Sequence, residues 1–148
     1  MKNILTAIDF TSLTELLLQQ SEKLAGAFDA KVWLVHIAAP PPDFVGYEVG
    51  PQHVRDERAG ELRREHRDLQ EYARRLTQQG IECEALLIQG PLLPTLLDEA
   101  RELRADLLIV GAHQHSGLFR VLFGDTGREL LRRTTLPLLI VPEQKHKT

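Results

Sequence analysis

The chain is poor in several features that would have narrowed its function. It has one cysteine in 148 residues, Cys83, and so no partner for an internal disulfide. That fits a reducing compartment. Cys83 lies in the apolar-rich stretch IECEALLI, where a packed thiol is the simpler reading than a nucleophile. Neither charge sign dominates: 18 Lys and Arg stand against 21 Asp and Glu, a net charge of -3. A nucleic-acid partner is therefore not expected, because there is no basic footprint to neutralise phosphates. Long apolar runs are missing too. The opening MKNILTAIDF breaks at Asp9, too early for a signal peptide or a membrane span, so a cytoplasmic protein without a membrane partner is expected. Internal repeats and composition breaks are absent, and the length suits one domain over residues 1–148.

Catalytic patterns are equally scarce. His113 and His115 have no third ligand at a zinc spacing, and Ser116 sits on no nucleophile elbow, so no catalytic residue and no metal site is expected from these positions.

What the sequence does contain is an alternation of two periodicities. NILTAI (Asn3 to Ile8), VWLVHI (Val32 to Ile37) and LLIVG (Leu107 to Gly111) are nearly unbroken apolar runs, as in parallel strands covered on both faces. ECEALLI (Glu82 to Ile88) alternates at its start, and PLLIVP (Pro137 to Pro142) is stopped by proline at both ends. Between them lie helical patterns. Ser12 and Glu15 have capping-box spacing ahead of a helix from about Leu13 to Phe28, with Leu13, Leu16, Leu17, Leu24 and Phe28 on one face. A longer helix is predicted from Val54 to Gln79, with Leu62, Leu69, Tyr72, Ala73 and Leu76 inward, Glu71 pairing with Arg75, and Gly80 as the stop. Its dense charges between Arg55 and Arg75 read as a solvated face. Further helices follow from Leu93 to Arg104 and from Gly124 to about Arg133. This order predicts a single α/β domain with a mostly parallel sheet and right-handed crossovers. The segment Ala38 to His53, rich in proline and glycine, reads as irregular, a functional loop or a plain connector.

In such a sheet, ligands bind beyond the carboxyl ends of strands, where strand order reverses. Glycines there let the backbone approach a phosphate, and a helix start supplies free N–H groups. Three stretches then resemble the universal stress proteins: ILTAIDFTSLTELLL with its strand-terminal Asp9, VWLVHI, and ADLLIVGAHQHSGLFRVLFGD followed by LPLLIVP. The resemblance covers nearly the whole chain. It implies an open five-stranded parallel sheet in the order 3-2-1-4-5 with helices on both faces, Rossmann-like and of the adenine-nucleotide alpha-hydrolase type. It also implies a homodimer through the last strand, Leu138 to Val141, and an adenine-nucleotide ligand such as ATP, ADP or AMP, with magnesium where ATP binds. Asp9 and Ile37 match the family positions that contact ribose and adenine. The ATP-binding branch carries Gly-x-x-Gly, nine residues, then Gly followed by Ser or Thr. Here Gly111 and Gly124 keep that register.

Two motif positions depart: Gln114 replaces the second glycine and Asp125 the hydroxyl residue. A glutamine fills space that a bare Cα would leave to phosphate. An aspartate at a helix start presents its own anion to the N–H groups. His113, His115 and Arg120 could offset part of that charge, and Asp125 could instead hold magnesium. The candidate site therefore comprises Asp9, Ile37, Gly111, His113, Gln114, Gly124, Asp125 and Thr126, with Asp9 equally suited to a turn ahead of TSLTE. Three functions stay open on the sequence: nucleotide-binding regulator, stress protein acting through an unknown protein partner, or slow ATP hydrolase.

Overall fold

The computed structural model describes residues 1–40, 52–112 and 125–143, with side chains in the last segment from residue 128 onward. Its elements alternate along the chain: β1 (Asn3–Ala7), α1 (Thr14–Phe28), β2 (Lys31–Ala38), α2 (Gln52–Gln78), β3 (Cys83–Gln89), α3 (Leu92–Glu102), β4 (Leu107–Ala112), α4 (Asp125–Arg133) and β5 (Leu138–Pro142). All sheet pairings are parallel, in the order β3-β2-β1-β4-β5. The expected sheet and its strand order are what the structure shows.

The unbroken apolar runs are explained by where each side of the sheet goes. Side chains alternate across a strand. Ile4, Val32, Leu34 and Ile109 therefore pack on one side with Leu17 and Leu18 of α1 and Leu69 and Leu76 of α2. Leu5, Val35, Leu108 and Val110 pack on the other with Leu93 and Leu96 of α3 and Leu130 of α4. One polar pair is buried in the first of these layers. The Thr6 and Ser21 hydroxyls meet at 2.6 Å, and Ser21 Oγ also donates to the Leu17 carbonyl at 2.8 Å, so neither hydroxyl is left unsatisfied. At the amino-terminal end of the sheet the Asp106 carboxylate accepts the backbone N–H groups of Lys2 and Asn3, at 2.7 and 2.9 Å. Those two bonds hold its pKa below the ordinary carboxylate value.

Several local expectations are corrected. The capping box does not form: α1 has Leu13 at its N-cap with no side-chain cap, and Glu15 instead takes a bidentate bond from Arg75 of α2, at 2.9 and 2.8 Å. Arg75 is thereby drawn away from Glu71, which pairs with Arg74. Phe28 is half exposed, and the end of α1 closes onto the sheet through Ala25 and Ala30. Gly80 does stop α2, at φ +85. Replacing Ser12 with alanine should accordingly change stability by less than about 0.5 kcal/mol, against about 1 for a true N-cap; chemical denaturation measures the difference.

Cys83 begins β3 and is partly buried, and that burial pushes its thiol up to about 12. It is a packed thiol, as its sequence surroundings suggest. No helix among the described residues is long and apolar enough to cross a membrane.

Candidate functional site

The sheet opens at its carboxyl end between β1 and β4. Their ladder stops at Thr6 and Ile109, while β4 continues alongside β5 as far as Ala112 opposite Pro142. β1 for its part stays with β2, the Ile8 N–H donating to the Val35 carbonyl at 2.8 Å. The chain leaves β1 toward β2 and leaves β4 toward β5, so a crevice forms where strand order reverses. Asp9 and Gly111 stand on its two sides.

Asp9 turns the chain out of β1. Its Oδ1 accepts from the Thr11 N–H at 3.2 Å and from the Thr11 hydroxyl at 2.7 Å, an Asx turn of the kind its sequence context suggests. Its Oδ2 is shielded from solvent and has no hydrogen-bond partner among the described residues. One carboxylate oxygen is therefore committed to the turn, and the other is unspent among the described residues. Phe10, next in the chain, has φ 59, a left-handed conformation that a bulky residue adopts only when its surroundings demand it. Its ring meets His36 edge-on at 4.7 Å and lies 6.3 Å from Tyr72 of α2.

Ile37, the second expected contact, is paired in register with Ile88 of β3 and packs partly buried on the α3 side of the sheet. Gly111 is tightly packed from beneath: a Cβ at that position would lie 3.0 Å from Leu13 Cδ1 and 3.6 Å from Leu17 Cδ1. Its lack of a side chain lets α1 sit close to β4. His113, Gln114 and Gly124 lie outside the described residues. Asp125 and Thr126 open α4, and their side chains are likewise outside.

His36 was not singled out by the sequence reading, although a polar residue inside VWLVHI is the signal that marks it. Its Nδ1 meets the Ile8 carbonyl at 2.6 Å and its Nε2 lies 3.4 Å from Glu65 Oε2 of α2. A cleft at the opposite end of the sheet, about 270 Å³, is flanked by Arg101, Arg104 and Arg133. Those arginines sit at or just beyond the carboxyl ends of α3 and α4, where cations complement the helix dipole.

Comparison with known proteins adds the following. A family model described as the universal stress protein family matches residues 1–142. Universal stress protein YxiE of Bacillus subtilis is 25% identical over 143 residues, covering 93% of this chain and 97% of that one. A crystal structure of a universal stress family protein from Burkholderia pseudomallei superposes with a TM-score of 0.72 at 25% identity over 96% of each chain. A universal stress protein from Archaeoglobus fulgidus in complex with dAMP superposes with a TM-score of 0.62 at 20% identity, covering 95% of this chain and 98% of that one.

Proposed function

The chain belongs to the universal stress protein family, and on that premise we propose that it works by binding, with a site that takes the nucleoside end of an adenine nucleotide and grips polyphosphate poorly. The observation that carries this is the divided carboxylate of Asp9 at the mouth of the β1/β4 crevice. Oδ1 is used by the Asx turn, and Oδ2 is held ready without a partner among the described residues. A shielded carboxylate oxygen suits a ribose hydroxyl, which donates a charge-assisted hydrogen bond. The complex of the Archaeoglobus fulgidus protein with dAMP supports an adenine nucleotide as the ligand class. At the phosphate end, Gln114 and Asp125 replace the residues that would leave room and a hydroxyl for a triphosphate. No catalytic role is assigned to any residue. Output passes through protein contacts, in the cytoplasm, from one domain over residues 1–148.

Calorimetry tests this directly. AMP and adenosine should bind more tightly than ATP, and Asp9→Ala should weaken AMP by roughly tenfold or more, the cost of one hydrogen bond to a charged group. ATP binding tighter than AMP, or AMP binding indifferent to Asp9→Ala, would overturn the reading.

The proposed dimer forms through β5. This strand ends the sheet, and Ile140 on it is 40% exposed with Leu131 of α4 at 56%. An apolar strand with an open edge is a template for pairing with a second copy. Sedimentation should show twice the monomer mass at micromolar concentration and the monomer mass for Ile140→Lys.

A further inference from the structure

Both neighbours of Asp9 are held by the same side chain. His36 Nδ1 lies 2.6 Å from the carbonyl of Ile8, the residue before it. Because a carbonyl only accepts, Nδ1 must carry a proton there. The His36 ring packs edge-on against Phe10, the residue after it, at 4.7 Å, and that contact accompanies the left-handed φ of 59. The turn that aims Asp9 is thus gripped on each side by one imidazole from β2.

The other ring nitrogen fixes the chemistry of the grip. Nε2 lies 3.4 Å from Glu65 Oε2, within ion-pair range. Oε2 is shielded from solvent and has no hydrogen-bond partner among the described residues. With Nδ1 already protonated, a neutral ring would turn the lone pair of Nε2 toward this carboxylate, and two acceptors would face each other. A proton on Nε2 converts the contact into an imidazolium beside a carboxylate, and a proton on Glu65 relieves it in the same way. The ring and carboxylate side chains are 14% and 30% exposed, so solvent only partly screens them.

Among the described residues, the charged groups near the ring have partners of their own. On α2, Arg58 donates to the Ala39 carbonyl at 2.7 Å, and Tyr72 stands beyond Phe10 with Arg75 5.8 Å from its ring. On α1, Glu15 is bonded by Arg75. β3 places uncharged Leu87 opposite His36 in register. In the turn itself, the Asp9 carboxylate faces Thr11 through Oδ1.

We propose that His36 is the positioning residue for Asp9: it holds the turn on both sides, through the Ile8 carbonyl and the Phe10 ring, while Glu65 stands against the other nitrogen of its ring. The affinity assay rests on the adenine-nucleotide reading above; the ring assay does not.

In the protein without ligand, ¹⁵N NMR of the His36 ring should show its proton on Nδ1, where the Ile8 carbonyl accepts it. His36→Asn places an amide N–H near the position of Nδ1, so it should keep AMP affinity within about threefold, while His36→Leu should lose about tenfold or more, the worth of an unmade buried hydrogen bond. Circular dichroism confirms that each variant is folded. A ring proton found on Nε2 in place of Nδ1, or Asn and Leu variants alike in affinity, would each overturn the proposal. If the native protein bound no AMP at any pH, the adenine-nucleotide reading would fall, and the ring measurement would still decide the role of His36.

Discussion

Replacing Gln114 with glycine and Asp125 with serine should raise ATP affinity by roughly five-fold to several-hundred-fold. The estimate rests on charge. An Asp125 carboxylate about 4 Å from a phosphate would repel it by about 1 kcal/mol in water-like surroundings and about 4 at an effective dielectric of 20. Each 1.4 kcal/mol or so is a factor of ten in affinity. Asp125 is the first residue of α4, and the backbone N–H groups of a helix start are the ones an incoming anion would use. An acidic side chain there competes for them. Gln114→Gly acts differently, by returning the space of a side chain. Adenosine should gain little in the double variant, since it brings no phosphate, and AMP should fall between. Calorimetry with the three ligands separates these cases. If the native protein instead bound ATP tightly with magnesium and Asp125→Ser abolished it, Asp125 would be a metal ligand and the polyphosphate argument would fail.

The second large effect lies beneath the crevice. Leu13 is 1% exposed, and its Cδ1 occupies the space beneath Gly111. Leu13→Ala should cost about 3 kcal/mol, the usual result of emptying a buried leucine site that cannot fully collapse. For a chain of this size that corresponds to a fall in Tm of roughly 6 to 12 °C. Gly111→Ala alone should cost about 1 to 2 kcal/mol, because its methyl group would meet Leu13 Cδ1 at 3.0 Å. The two costs should not add. Once Leu13 is truncated, the atom in the way is gone, and residue 13 approaches with its Cβ at 3.6 Å, ordinary van der Waals distance. The double variant should therefore be at least about 1 kcal/mol more stable than the sum of the single costs implies. Additive costs from denaturant unfolding would show that Gly111 is not held by packing.

How much of this the sequence displayed depends on the range of the interaction. The apolar runs of β1, β2 and β4 were legible because burial on both faces removes the polar residues from a strand, a local record of a global arrangement. Asp9 and Gly111 were legible as strand-end residues. The crevice side of each could not be read. That Asp9 spends only one oxygen on its turn depends on the placement of Thr11, and that Gly111 is shut from below depends on Leu13, 98 residues earlier in the chain. The capping box failed for a related reason: Ser12 and Glu15 carried the local pattern, and Arg75 from another helix took Glu15. His36 was passed over because a histidine within an apolar strand is visible in sequence, while its partners, the Ile8 carbonyl and Glu65, are not.

The central position of β1 has a consequence for the order in which the protein assembles. Residues 3–7 pair with residues 31–35, which follow them after a single helix, on one side. Their other neighbour, β4, is more than 100 positions downstream: Ile4 pairs with Leu107 and Thr6 with Ile109. During synthesis at about 5–20 residues per second, β1 therefore waits several seconds with one edge open, since elongation alone takes that long. The Asp106 carboxylate that captures the Lys2 and Asn3 N–H groups sits immediately ahead of β4. In the finished sheet its two bonds tie the start of β4 to the start of β1. A nascent chain stopped short of residue 106 should remain aggregation-prone through that edge, and one released beyond β4 should not.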